Sequence, residues 1–274
     1  MHARHLVVAA LTTIIAPAAA AQIACPKSRP LPAYSHNDYE NSRPLHGALA
    51  LGFHGVEADL VLRQGELRVA HSGAESKAGR TMETMYLRPL RAILQECAHG
   101  LSSSTALLLN IELKERSQSA YDSLLAVVAR YPDVFEAGPS ESLAPVEIIL
   151  VGWSPVLEAR TTVERRLGLQ YKITAPTSPA APDQDERVRL ISLDYGKTIG
   201  WSGKGRVPQH AATWLAGVRR AKGKSGRRLA RAYNAPANAP VYRLLLEGGI
   251  DLIGTENLEA TERVLRQLGR VHSR

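Results

Sequence analysis

From Leu31 to Leu268, eight strand-like apolar segments alternate with helix-like ones, and no long linker interrupts them. Ala106–Lys114 (ALLLNIELK), Val146–Val151 (VEIILV) and Val188–Tyr195 (VRLISLDY) are near-continuous apolar runs. Strands buried on both faces of a parallel sheet show this pattern. The other strands fall at Leu31–Ser35, Gly55–Leu62, Tyr171–Thr174, Arg227–Tyr233 and Ile250–Thr255. Glu66–His71 follows a Gln64-Gly65 turn pair as a further short run ending at His71. Helices are expected over Pro44–Leu51, Leu87–His99, Ser117–Tyr131, Pro155–Leu167, Gln209–Ala221, Pro240–Glu247 and Leu258–Leu268. Within the third, Tyr121, Leu124, Leu125 and Val128 recur at helical spacing. Gly52, Gly100 and Gly168 stand as stops, and Pro155 opens the fourth. The proline-rich stretch Ala175 to Asp185 reads as a loop. This alternation predicts a single-domain α/β fold, a (β/α)8 TIM barrel, which commonly takes about 250 residues. An open doubly wound sheet is the alternative, but the Gly-rich turn such a sheet carries after its first strand is missing.

In such a barrel the chemistry gathers where the strands end. His36 and Asn37 close the first strand, and Glu57 and Asp59 lie on the second with His71 just beyond it. Glu112 and Lys114 end the third, Asp194 the sixth, Arg231 and Asn234 the seventh, and Thr255 and Glu256 the eighth. Glu57 and Asp59 are two apart, so they share a face at about 7 Å. Like charges so placed repel unless a cation sits between them, and a divalent metal is the candidate. Two flanking histidines supply what acid–base chemistry around such an ion needs. The alternative is an edge strand with solvated acids and surface histidines. His46 and His54 read as surface groups, Asp194 as a partner of Lys197, and Trp201, in a glycine-rich loop, as either an anchor or a lid.

Residues 1–21 are expected to be a signal peptide, with 22–274 as the folded domain. A weakly basic start precedes the apolar run Leu6–Ile15, too short to span a bilayer, and Pro17 to Ala21 supplies the small residues of a cleavage site. The implied location is secreted or periplasmic. Cys25 and Cys97 either pair, as an oxidising compartment allows, or are unrelated thiols. The formal charge is +8, with Arg219, Arg220, Lys222, Lys224, Arg227 and Arg228 clustered on a helix-to-strand connection. That cluster either meets an anionic membrane surface or is a solvated helix end. No aromatic residues interleave it, so nucleic acid is not expected. Nothing in the sequence fixes the oligomeric state.

The order and spacing of these residues resemble the superfamily of glycerophosphodiester phosphodiesterases and phosphoinositide-specific phospholipases C. Ser35-His36-Asn37-Asp38-Tyr39 is similar to the His-Asn motif of the calcium-dependent phospholipases. Val56-Glu57-Ala58-Asp59 is similar to the Glu-x-Asp metal motif of the glycerophosphodiesterases, and Asn110-Ile111-Glu112-Leu113-Lys114 to the family's third-strand motif. Gly249 to Asn257 (GIDLIGTEN) resembles their closing strand, and the likeness spans about residues 31 to 260. Asn37 departs from it, standing where ordinary glycerophosphodiesterases have arginine. The resemblance implies an exported phosphoric diester hydrolase acting on a small-molecule or lipid phosphodiester. It implies one Ca²⁺ or Mg²⁺ held by Asn37, Glu57, Asp59 and Glu112, with His36 and His71 as base and acid. Lys114 and Arg231 would bind the phosphate. Two alternatives share these residues: a secreted barrel that binds a headgroup without turnover, and a sphingomyelinase D-like lyase that releases a cyclic phosphate.

Overall fold

A computed structural model describes Cys25 and residues 29–97, 106–137, 144–153, 161–178, 187–223 and 226–272. The expected signal segment and the first part of the helix placed at Pro155–Leu167 lie outside the described residues.

Among the described residues, nine strands form one sheet. They are β1 (Leu31–Ser35), β2 (Phe53–Arg63), β3 (Glu66–Val69), β4 (Leu107–Leu113), β5 (Val146–Val151), β6 (Gly168–Lys172), β7 (Val188–Asp194), β8 (Leu229–Tyr233) and β9 (Leu252–Thr255). Their order is β1-β9-β8-β7-β6-β5-β4-β2, and β1 also pairs with β2, which closes the ring. Every pairing round that ring is parallel, while β3 runs antiparallel on β2. The helices are α1 (His46–Leu51), α2 (Arg88–Glu96), α3 (Gln118–Ala129), α4 (Pro132–Phe135), α5 (Thr162–Arg166), α6 (Tyr195–Thr198), α7 (Gln209–Lys222), α8 (Ala239–Glu247) and α9 (Leu258–His272). The protein is a single-domain (β/α)8 TIM barrel of eight parallel strands.

Differences from the sequence reading have local causes. The helix expected over Ser117–Tyr131 stops at Ala129, and α4 starts afresh with Pro132 at its first position. Proline disfavours a helical residue before it and suits the first turn of a new helix. Gly168 does not stop a helix but opens β6. A Cβ there would lie 2.9 Å from Arg189 Cγ and 3.0 Å from Ile149 Cγ1, so the close strand packing requires glycine. The glycine-rich segment after β7 begins with α6, capped by the Asp194 carboxylate on the Lys197 N–H. Trp201 anchors that segment: its carbonyl accepts from the Tyr195 hydroxyl at 2.6 Å, and its ring packs on the main core. His46 and His54 are half-buried rather than exposed, and His54 Nε2 lies 3.1 Å from the Ala106 carbonyl.

Strand alternation decides what fills the barrel. Leu108, Ile149, Val151, Leu190 and Leu252 form a buried apolar cluster separate from the core between sheet and helices. On β4, Leu108 shares its face with Asn110 and Glu112, so that apolar layer underlies a polar one. On β2 the inward positions are Gly55, Glu57 and Asp59. A Cβ on Gly55 would sit 2.7 Å from both Cβ and O of Leu108, so only glycine lets β2 and β4 carry the carboxylates at this register.

Cys25 and Cys97 are joined in a disulfide, with Cα atoms 5.8 Å apart. It ties the segment before β1 to the end of α2, a closure worth about 4 kcal/mol in the chain-entropy view. The basic run is largely tied to the barrel. Arg219 donates to the Gly248 carbonyl at 2.7 Å, Arg220 to the Pro176 carbonyl at 2.6 Å, and Lys222 pairs with Asp251 at 2.6 Å. Among the described residues, no helix is long and apolar enough to cross a membrane.

Asp38 holds the turn that presents the first histidine. It is fully buried, and its Oδ2 accepts from the Leu45 N–H and the Tyr86 hydroxyl. Burial raises its pKa; these hydrogen bonds oppose the rise, and the result is about 6 against an ordinary 3.8. An acid raised in the fold stabilises most below its unfolded pKa and loses that contribution as pH rises through the folded one. Stability should therefore fall between about pH 4 and 6, by about 3 kcal/mol from this group. In Asp38→Asn, an amide oxygen keeps both acceptor contacts. Urea melts of the variant should lose that slope and show no loss of stability at pH 7. A weaker fold at pH 7 would mean that the charge itself is needed.

Candidate active site

The inward carboxylates of β2 and β4 converge at the mouth. Glu57, Asp59 and Glu112 each offer an oxygen within 4.8 Å of the others. Their register makes this possible: Asp59 lies directly across from Glu112, and Glu57 across from Asn110. Glu57 and Asp59 are almost fully buried, while Glu112 is partly open.

Each carboxylate is held by cations and hydroxyls. Glu57 Oε2 accepts from Arg231 Nη1 at 2.7 Å and from the Tyr34 hydroxyl; its Oε1 lies 3.5 Å from His36 Nε2. Burial alone would raise the Glu57 pKa. The charges of Arg231 and His36 and the hydrogen bonds from Tyr34 and Arg231 outweigh burial and hold it below the usual value. Glu57 is therefore an ionised buried carboxylate. Arg231 donates a further bond from Nε to Ser192 Oγ at 2.9 Å and is itself 5% exposed. Asp59 Oδ2 accepts from the Tyr39 hydroxyl at 2.9 Å and lies 3.4 Å from Lys114 Nζ. Lys114 also reaches Glu112 at 3.5 Å.

The two histidines are oriented alike. His36 Nδ1 lies 2.9 Å from Glu256 Oε1, and His71 Nδ1 lies 2.8 Å from Asp59 Oδ2. Each carboxylate accepts from the Nδ1–H it faces, which turns Nε2 of each ring away from it; that of His36 lies 3.5 Å from Glu57 Oε1. The His36 ring also stacks on Tyr233, with centroids 6.1 Å apart.

A cation fits this arrangement. Asp59 Oδ1 is buried without a hydrogen-bond partner among the described residues, and so are both amide atoms of Asn110 beside Glu57. An orphaned carboxylate oxygen inside an all-oxygen cluster is a natural ligand for a hard divalent ion. The Asn37 backbone is left-handed (φ 48°), and its Nδ2 donates at 3.4 Å to Glu256, the carboxylate that also orients His36.

A cavity of about 390 Å³ opens here, with His36, Glu57, Glu112 and Arg231 in its wall. It also includes Lys172 and Tyr233, which the sequence reading did not single out. Strand parity could have found them: Tyr34 precedes His36 by two, Tyr233 follows Arg231 by two, and Lys172 ends its strand. Trp201 and Asp194 are not in this wall, and Arg80 donates to the Tyr39 carbonyl at 2.8 Å, bracing the turn.

Residues 25–133 match the AIM6-like phosphodiesterase domain, a stretch that holds His36, the three carboxylates, His71 and Lys114. The chain is 26% identical over 161 residues to the Altered inheritance of mitochondria protein 6 homolog of Arthroderma benhamiae, covering 50% of this chain and 51% of that protein. It thus spans about half the length of that relative. Among solved structures it is similar to a glycerophosphodiester phosphodiesterase from Agrobacterium tumefaciens (12% identity, TM-score 0.44, 85% of this chain and 98% of that one). It is also similar to a phosphatidylinositol-specific phospholipase C from Listeria monocytogenes (9%, 0.44, 90% and 96%). A mutant tryptophan synthase α-subunit from Pyrococcus furiosus scores alike (18%, 0.47, 91% and 100%), so these overlaps carry no argument about chemistry. Over the residues that carry the motifs, then, the barrel is similar to an AIM6-like phosphodiesterase domain.

Proposed function

We propose that this protein is a metal-dependent phosphoric diester hydrolase acting on glycerophosphodiesters or phospholipid headgroups. One observation carries the reading: a triad of carboxylates flanked by two imidazoles, each turned by a carboxylate on its Nδ1 so that Nε2 is available. Glu57, Asp59 and Glu112, with Asn37 as a fourth oxygen donor, would hold Ca²⁺ or Mg²⁺. Such an ion, when bound, neutralises charge on the phosphoryl oxygens and acidifies a nearby hydroxyl. His36 Nε2 takes the proton of the attacking hydroxyl, and Glu256 steadies the imidazolium that results. His71 Nε2 delivers a proton to the departing oxygen, and Asp59 stabilises that ring while it is charged. Lys114 and Arg231 draw the phosphate into place, and burial of Arg231 against Glu57 keeps its guanidinium fixed. The disulfide supports export as well, since such bonds persist in oxidising compartments.

Hydrolysis of bis(p-nitrophenyl) phosphate and of glycerophosphodiesters, with and without EDTA, tests this. Chelation should lower turnover at least ~100-fold, with Ca²⁺ or Mg²⁺ restoring it. Full activity in EDTA would remove the metal from the scheme, and no turnover of any diester would leave a binding barrel. Phosphorus NMR of the end product separates hydrolase from lyase: a persistent cyclic phosphate would mark the latter.

A further inference from the structure

The cavity wall holds more positive charge than the proposed chemistry uses. In that wall Arg231 lies against Glu57, while Lys114, which is not one of its lining residues, lies against Asp59 and Glu112. Arg116 and Lys172 line the same cavity, yet neither has a carboxylate partner among the described residues. Lys172 ends β6, which stands opposite β1 in the ring, so it faces the His36 side from across the mouth. Both approach the Tyr233 ring: the ammonium is 5.9 Å from its centroid, and the His36 ring stacks with centroids 6.1 Å apart. Gln170, two residues before Lys172, is pinned by the Gly152 N–H on its Oε1 at 2.9 Å. That bond fixes the amide and leaves its two N–H donors to the cavity, which Gln170 also lines.

We infer that Arg116, Lys172 and Gln170 form a second anion subsite, for a phosphomonoester on the alcohol half of the diester substrate. Charge selects the ligand. A phosphomonoester carries nearly two negative charges at neutral pH and matches two cations, whereas a carboxylate would leave one unmatched. The guanidinium of Arg116 suits bidentate contact, and Lys172 adds a point charge. Tyr233 gives the intervening carbon skeleton an apolar face. The inference rests on the phosphodiesterase reading and narrows its substrates to diesters bearing an additional phosphate.

The test compares kcat/KM for glycerophosphoglycerol and glycerophosphoglycerol phosphate, metal present. Wild type should prefer the phosphorylated diester by at least ~10-fold, the size expected of one charge-assisted contact. In the Arg116→Met, Lys172→Met double variant the ratio should fall to near unity, while Lys172→Arg should keep most of it. No preference in wild type, or a ratio that survives the double substitution, overturns the subsite. Should wild type hydrolyse neither diester, the phosphodiesterase reading fails and calorimetry decides the subsite separately. Glycerol 3-phosphate titrated in EDTA should then bind wild type at least ~10-fold more tightly than the double variant. Equal affinity, or no binding to wild type, overturns it.

Discussion

His71→Ala is expected to lower kcat by about 10²- to 10⁴-fold, and His36→Ala by a similar factor, with the barrel intact in both. The side chains are 56% and 24% exposed, so neither substitution opens a core cavity. Circular dichroism melts should stay close to wild type while turnover collapses. The two variants should also differ. A substrate with a p-nitrophenolate leaving group needs little protonation as it departs, so His71→Ala should recover on it far more than His36→Ala does. Wild-type rates in both variants would remove the imidazoles from the chemistry. Glu256→Gln is the milder companion: it keeps a hydrogen-bond acceptor for Nδ1 but loses the charge that stabilises a protonated His36 ring.

Arg231→Met should produce the largest stability loss. The guanidinium is buried beside an almost fully buried, ionised Glu57. Its pKa is raised: burial pulls it down, but the neighbouring Tyr34 and Glu57 more than compensate. Removing one partner of such a pair leaves an uncompensated charge in a low-dielectric interior, a cost of about 3–5 kcal/mol. For a domain of this size that is roughly a 10 °C fall in Tm. Glu57 should respond by shifting its pKa upward, so the variant should lose stability further as pH rises from acid to neutral. Adding Glu57→Gln should restore part of the loss, because the orphaned charge is then gone. If Arg231→Met melts like wild type, the pair does not hold the barrel mouth as the geometry requires.

Much of this was legible from residue order. Apolar runs with glycine and proline punctuation specify eight parallel strands, because each run must be buried on both faces and each crossover must return over the sheet. Val146–Val151 matches β5 at both ends, and Leu31–Ser35 matches β1. Glu57 and Asp59 on one face follow from the two-residue period of a strand, which holds wherever that strand goes. Other features are tertiary. Gly168 can stop a helix or open a strand, and only the approach of Ile149 and Arg189 decides which. Trp201 had equal claims as anchor and lid until the Tyr195 hydroxyl met its carbonyl.

Residue order alone encodes the strand count, the barrel closure that follows from it, and which carboxylates and imidazoles stand at strand ends. These depend on periodicity and burial, which are local properties of the chain. Folding alone brings Glu256, 220 positions from His36, to orient that ring, and sets Arg231 against Glu57. Ring closure also brings Arg116 and Lys172 into one cavity wall, where neither has a carboxylate partner among the described residues. Such pairings are set by which strands become neighbours when the ring closes, and no spacing along the chain encodes a distance across a barrel.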